Sequence, residues 1–188
     1  MQVCFQTERM LVRRLTPTDA VHLHALDGDP EVMRFLTGGK PTPYERVTDE
    51  LLPRLLDEYL LHPTRGRWAA VDRADGAFLG WFALAPGQPG AGSEAALGYR
   101  LRRSAWGRGL ATEGARALVR AAFTELGVQR VYAETMVVNA ASRRVLERAG
   151  LTQTRVFHVH WDEPIPGSEL GEVEYALLEA DWRRREAG

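Results

Sequence analysis

Leu97-Gly98-Tyr99-Arg100-Leu101-Arg102-Arg103-Ser104-Ala105-Trp106-Gly107-Arg108-Gly109-Leu110-Ala111-Thr112 reads as a strand that passes through a glycine loop into a helix. Tyr99 and Leu101 alternate with Arg100 and Arg102, the period of a strand. Gly107 and Gly109 remove side chains where the chain must turn tightly, and a helical pattern begins at Leu110. The first turn of a helix leaves backbone N–H groups unpaired and gathers partial positive charge, so a glycine-rich entry is a natural seat for phosphate. Arg108 adds a full charge between the glycines. A plain turn is the bland alternative. A mononucleotide P-loop would place Lys before Thr112, where Ala111 stands, and a dinucleotide fingerprint would need glycine at 112 rather than at 114.

The run Trp106-Gly107-Arg108-Gly109-Leu110-Ala111 resembles the acyl-coenzyme A loop of the GNAT acetyltransferase superfamily, Gln/Arg-x-x-Gly-x-Gly/Ala. Trp106 departs from Gln/Arg at the first position, as is usual in the branch resembling ribosomal-protein N-terminal acetyltransferases. A second block, from Asn139 through Ser142 to Gly150-Leu151, resembles the other coenzyme-binding helix of the superfamily, and motif-level likeness covers residues 93 to 151. The resemblance implies an α/β (α+β) GNAT fold. Its central sheet would be single, mixed and mostly antiparallel, of about seven strands, with splayed parallel neighbours at the cofactor site and helices on both faces.

Composition sets the outer bounds. A chain of 188 residues, read as a single domain over 1–188 with its tail fraying after Trp182, buries about 70% of its unfolded surface. Its 45% hydrophobic and 26% charged residues are ordinary for a soluble protein. Neither a run of ~18 apolar residues nor a secretory leader pattern occurs, so no membrane partner and a cytoplasmic location are expected. Cys4 is the single cysteine, which excludes an internal disulfide and a cysteine metal cluster, and no metal is expected. The net charge of −1 argues against nucleic-acid binding, despite Arg100, Arg102, Arg103 and Arg108. Lys40 is the only lysine among 24 basic residues.

Outward from the loop, residues 3–15 read as a first strand. Thr16-Pro17 and Asp29-Pro30 each start a short helix, the second ended by Gly38-Gly39. Thr42-Pro43-Tyr44-Glu45 is a capping box opening a helix that Pro53 should kink or end. Residues 67–72 and 77–85 form a hairpin, Pro86–Ser93 is an exposed loop, and Glu94–Leu101 is the strand before the glycine loop. The loop helix places Ala111, Ala115, Leu118 and Ala122 on one face. A strand at 128–138 leads to the Asn139 helix, and 152–161 with 172–178 form a last hairpin.

The resemblance implies transfer of an acetyl group from acetyl-coenzyme A to a primary amine, a protein N-terminus or a small molecule, by direct attack on the thioester, in a protein that is often a homodimer. The backbone N–H groups of Gly107, Arg108, Gly109 and Ala111 would hold the pyrophosphate, with the Thr112 hydroxyl beside them. The edge of the strand from Tyr99 to Leu101 would pair with the pantetheine arm and offer an oxyanion donor. Asn139 would contact that arm, or simply cap its helix. Many relatives place a tyrosine where Leu146 stands. Ser142 matches the serine that the ribosomal branch uses near the thiolate, and is also placed as a capping residue. The branch's usual glutamate position is Ala96, so Glu94, on the same strand face, is one candidate base and His158, paired with His160 on a strand face, the other. Each has a bland alternative as a solvated side chain. The acidic Asp162, Glu163, Glu169, Glu172 and Glu174 would steer a cationic acceptor. The missing tyrosine and glutamate leave open a non-catalytic acyl-coenzyme A binding or sensing module.

Overall fold

The computed structural model describes residues 3–87 and 93–187, so most of the expected 86–93 loop lies outside the described residues. The stretch read as one strand at 3–15 is two, β1 (Val3–Gln6) and β2 (Met10–Arg14). Between them the Thr7 N–H donates to the Met10 carbonyl at 2.8 Å, and the Met10 N–H donates back to Thr7 Oγ1 at 2.9 Å. This extra hairpin brings the sheet to eight strands, in the order β1-β2-β3-β4-β5-β6-β8-β7. The others are β3 (Gly66–Asp72), β4 (Phe78–Pro86), β5 (Glu94–Leu101), β6 (Arg130–Met136), β7 (Thr152–Phe157) and β8 (Glu172–Leu178). Every neighbouring pair is antiparallel except β5 with β6.

Helices cover both faces. α1 (Ala20–Asp27) packs on β4, and α2 (Pro30–Thr37) follows it, capped by Asp29, whose carboxylate accepts the Glu31 N–H at 3.0 Å. The Thr42 capping box does not form: α3 (Tyr44–Arg46) starts after Pro43 with no side-chain cap. It runs through a π turn, Val47–Leu51, into α4 (Leu52–Leu61), which packs on β3. Pro53 cannot donate to the Asp49 carbonyl and its ring crowds that group, and the wider turn just before it takes up the mismatch. Proline therefore reshapes this helix rather than ending it.

On the other face α5 (Leu110–Thr124) packs on β4 and β5, and α6 (Ala140–Arg148) on β6 and β7. Ala115, Leu118 and Ala122 are buried as their spacing requires. A Cβ at Gly114 would run into the Phe82 ring, so the missing side chain sets how closely α5 approaches the sheet. Phe82 is fully buried there, worth about 1.5–3 kcal/mol for a side chain of its size. The chain past Trp182, expected to fray, instead continues as α7 (Glu179–Glu186), steadied by Trp182 against Phe123 and by the Arg183–Glu179 ion pair. Among the described residues no helix is long and apolar enough to cross a membrane.

Candidate active site

The parallel pair β5/β6 is joined only at Glu94↔Arg130, Ala95↔Val131 and Ala96↔Tyr132. Beyond Ala96, β5 remains paired with β4 alone, while β6 remains paired with β8. The two strands thus part into a wedge that opens toward their C-terminal ends. Gly87 N–H donates to the Glu94 carbonyl and Arg102 N–H to the Leu79 carbonyl, so even-numbered residues of β5 bond to β4. By alternation, the backbone groups of Leu97, Tyr99 and Leu101 point into the wedge.

At the open end sits the glycine loop. Gly107 and Gly109 have φ of 69° and 79°, left-handed values that a side chain disfavours, and Gly109 directly precedes α5. Among the described residues no acceptor meets the N–H groups of Gly109, Leu110, Ala111 or Thr112, so these donors converge unpaired on one point. Trp106 explains its place at the family's variable first position: its indole N–H donates to the Leu101 carbonyl at 2.8 Å, tying the loop to the end of β5. Arg9, which the sequence did not single out, braces the loop from the β1–β2 turn. It donates to the Arg108 carbonyl at 2.8 Å and to Glu113 Oε2 at 2.7 Å. Arg108 lies 3.4 Å from Asp72.

Across the wedge, Asn139 caps α6 by accepting the Ser142 N–H at 3.2 Å. The Tyr99 hydroxyl donates to the Ser142 carbonyl at 3.1 Å and lies 3.0 Å from Ser142 Oγ, joining β5 to the first turn of α6. Burial pushes the Tyr99 hydroxyl up to about 12, so it stays protonated at any working pH. The hydroxyl role of Tyr99 was missed in the sequence, although a tyrosine between Leu97 and Leu101 on one strand face was the available signal. Leu146 is buried in the core.

The opposite face of the wedge is lined differently. Glu94 stands at the closed end, its carboxylate 3.0 Å from Arg130, which also holds Glu174 at 2.5 Å. Glu94 thereby joins a network of charges with Arg130 and Glu174. Thr154 and Arg155 complete the shell around Glu174 at 2.7 and 2.9 Å. His158 does not share a strand face with His160, because β7 ends at Phe157. Both histidines are exposed, His158 against Gly171 and His160 3.5 Å from Asp162. Glu172 has a different setting. It opens β8 opposite Met136 and Phe157, no hydrogen bond or ion pair engages it among the described residues, and burial together with the nearby Glu134 raises its carboxyl above the usual range.

A strap closes this face. The β7–β8 connection carries buried Ile165 to Gly38, where a Cβ would come within 3.0 Å of Ile165 Cγ2, and Glu163 to Lys40, with which it pairs. It thereby joins the C-terminal hairpin to the end of α2.

A wedge between parallel strands, with unpaired helix N–H donors at its mouth, defines a class of site for an extended anionic ligand. The model of the acetyltransferase (GNAT) domain family matches residues 9–152, and the chain belongs to that family. An Aspergillus fumigatus protein named FsC-acetyl coenzyme A-N(2)-transacetylase is 38% identical over 165 residues, covering 85% of this chain and 69% of the relative. A ribosomal-protein alpha-N-acetyltransferase solved with coenzyme A shares the fold at TM-score 0.77 and 18% identity, over 94% of this chain and 98% of that one. A Vibrio cholerae spermidine N-acetyltransferase, solved with coenzyme A and spermine, does so at TM-score 0.73 and 15% identity, over 93% and 98%. The protein is accordingly an N-acetyltransferase.

Proposed function

We propose that the protein transfers acetyl from acetyl-coenzyme A to a primary amine by direct attack, with the two faces of the wedge dividing the labour. The observation that carries this reading is that Tyr99 with Ser142 lies on the α6 face, while the half-buried carboxylate of Glu172 lies on the other. The N–H groups from Gly107 to Thr112 and the charge of Arg108 receive the pyrophosphate. The pantetheine arm runs along Leu97–Leu101 like an added strand, with a wedge-facing N–H as oxyanion donor. The named relatives act with coenzyme A, which supports this placement.

The neutral amine nitrogen attacks the thioester carbon from the Glu172 face and forms the C–N bond. The proton of the resulting ammonium passes to the Glu172 carboxylate and on to water. The C–S bond breaks as the tetrahedral centre collapses, and the thiolate leaves toward Tyr99 and Ser142. A thiol of pKa about 8.5 is more acidic than Tyr99, so these hydroxyls stabilise the thiolate by hydrogen bonding rather than by giving up a proton, Tyr99 turning its single O–H from the Ser142 carbonyl toward the sulfur. The amine arrives through the cleft under the strap, as a small molecule or a protein N-terminus.

The test is calorimetry with acetyl-coenzyme A followed by amine-dependent thiol release across small amines and N-terminal peptides. Binding with release is expected. Binding without release on every amine would replace this reading by a non-catalytic acyl-coenzyme A module, and absence of binding would remove both.

A further inference from the structure

Three buried side-chain nitrogens have no partner among the described residues: His24 Nδ1 on α1, Arg67 Nε on β3 and Trp161 Nε1 on the strap. Arg67 is the most costly of them. No hydrogen bond or ion pair engages its guanidinium, which stacks instead on the Trp81 indole at 4.0 Å. Burial and then Arg100 lower its pKa to about 10, against Glu58 and Asp27, with Arg54 adding a smaller push in the same direction as Arg100. Asp27 is already committed to Arg100, at 2.5 Å. A half-buried guanidinium whose buried Nε meets no acceptor is unfavourable for the fold alone.

The register shows where this charge lies. Arg67 pairs with Ala83, and Ala83 with Gly98, so the three share one sheet face, the face of Trp81, Arg100 and, across the wedge, Glu172. The row beneath Arg67 is floored by small residues, and Gly98 presents no side chain at all. On one arm of the cleft Arg67 therefore lies beside Arg100, whose charge Asp27 already answers, and among the described residues no carboxylate is bonded to Arg67 itself. The other carries Glu172 and Glu134, short of cations: Glu172 has no cationic partner, and Glu134 has only Arg155 at 3.8 Å.

We infer that Arg67, backed by Trp81 and Arg100, is the acceptor subsite for a carboxylate, and that the acceptor is an extended amine bearing an acidic group several bonds from the nitrogen. This rests on the reading of the wedge given above. The guanidinium lies over β4, three strand steps or about 14 Å from β8 at ~4.8 Å per step, so a short α-amino acid does not bridge the two arms. An amino carboxylate of peptide length does, with its nitrogen toward Glu172 and its carboxylate at the edge of the Arg67 guanidinium, whose face is taken by the Trp81 ring.

The test is calorimetric binding to the coenzyme A-loaded protein, which does not depend on turnover. The probes are matched pairs: triglycine against triglycinamide and 6-aminohexanoate against hexylamine. The carboxylate member is expected to bind at least ten-fold tighter, and Arg67→Gln is expected to erase that preference while binding coenzyme A like the wild type. Equal binding within the pairs, no binding of the carboxylates, or a preference that survives Arg67→Gln would overturn the subsite. Failure of the wild type to bind coenzyme A would instead count against the proposed function, since that binding does not involve Arg67.

Discussion

The two ends of the cleft are built from different parts of the amino acid. The cofactor end is backbone: left-handed glycines, unpaired N–H groups and a free strand edge, contributed by residues 97–112 in one continuous stretch. The acceptor end is side chains, drawn from β3, β4, β5, β6, β8 and the strap, and its charges are balanced across the sheet rather than along the chain. A backbone site tolerates change in most side chains but not in its glycines. A side-chain site can be retuned one residue at a time, so the acceptor can change while the cofactor does not.

That contrast can be broken experimentally, most forcefully at the loop. Gly109→Glu puts a side chain on a left-handed residue and a negative charge where phosphate binds. Loss of acetyl-coenzyme A affinity by about 100-fold or more is expected by calorimetry, with a fall in thermal stability of about 1–2 kcal/mol from the strained residue. Retained affinity would mean that the N–H cluster is not the phosphate seat.

Next comes the hub of the acceptor arm. Glu174→Gln leaves Arg130 and Arg155 facing a neutral group, at a cost of about 3–5 kcal/mol if it behaves as other broken buried pairs do. Thermal melting should drop accordingly. Arg155, Arg130 and the Thr154 hydroxyl hold the Glu174 carboxyl below its ordinary value despite its burial. Its contribution is thus present above the unfolded pKa and lost as pH falls through the depressed folded value, so the gap between mutant and wild type should close only in strong acid.

Smaller effects separate the two faces of the wedge. Tyr99→Phe removes one hydrogen bond to the leaving group, so a fall in kcat of about ten-fold with unchanged coenzyme A binding is expected. A change in KM for acetyl-coenzyme A alone would assign Tyr99 to positioning. Glu172→Gln should lower rates less at high pH, where more amine is already neutral, than near neutrality. In the wild type the acidic limb of kcat should lie above the usual carboxylate range, because Glu172 must be ionised to accept the proton and its carboxyl is raised. An acidic limb unchanged in Glu172→Gln would place the base elsewhere.

The same contrast decides what the sequence can disclose. The glycine loop and the helices beside the wedge were legible because their determinants are local: Gly107, Gly109, the α5 stripe and the Asn139 cap each sit within a turn or two of what they organise. The β1–β2 hairpin was hidden because Thr7 makes its tight turn through its own hydroxyl, without a glycine or proline to mark it. The π turn before Pro53 was hidden for a related reason, since hydrophobic spacing does not distinguish a wide turn from a regular one. Glu94 and His158 stood as candidates on the resemblance together with strand periodicity. Periodicity says which face a residue is on, but not that Arg130 occupies the first or that β7 stops before the second. Arg67, Trp81 and Arg100 are brought together only by the register of three strands, which no single stretch encodes.

The strap has one more consequence. Its ion pair to Glu163 uses the chain's single lysine, against 23 arginines. Guanidinium does not attack a thioester at neutral pH, whereas a neutral ε-amine does. An enzyme that keeps acetyl-coenzyme A bound is therefore nearly immune to labelling itself, and the one lysine it exposes is the one fastening its cleft. Acetylation there would cancel the charge facing Glu163 and leave the strap to its packed contacts, Ile165 at Gly38 and Gly167 at Val138, so a single mass increment at Lys40 would record the history of the strap.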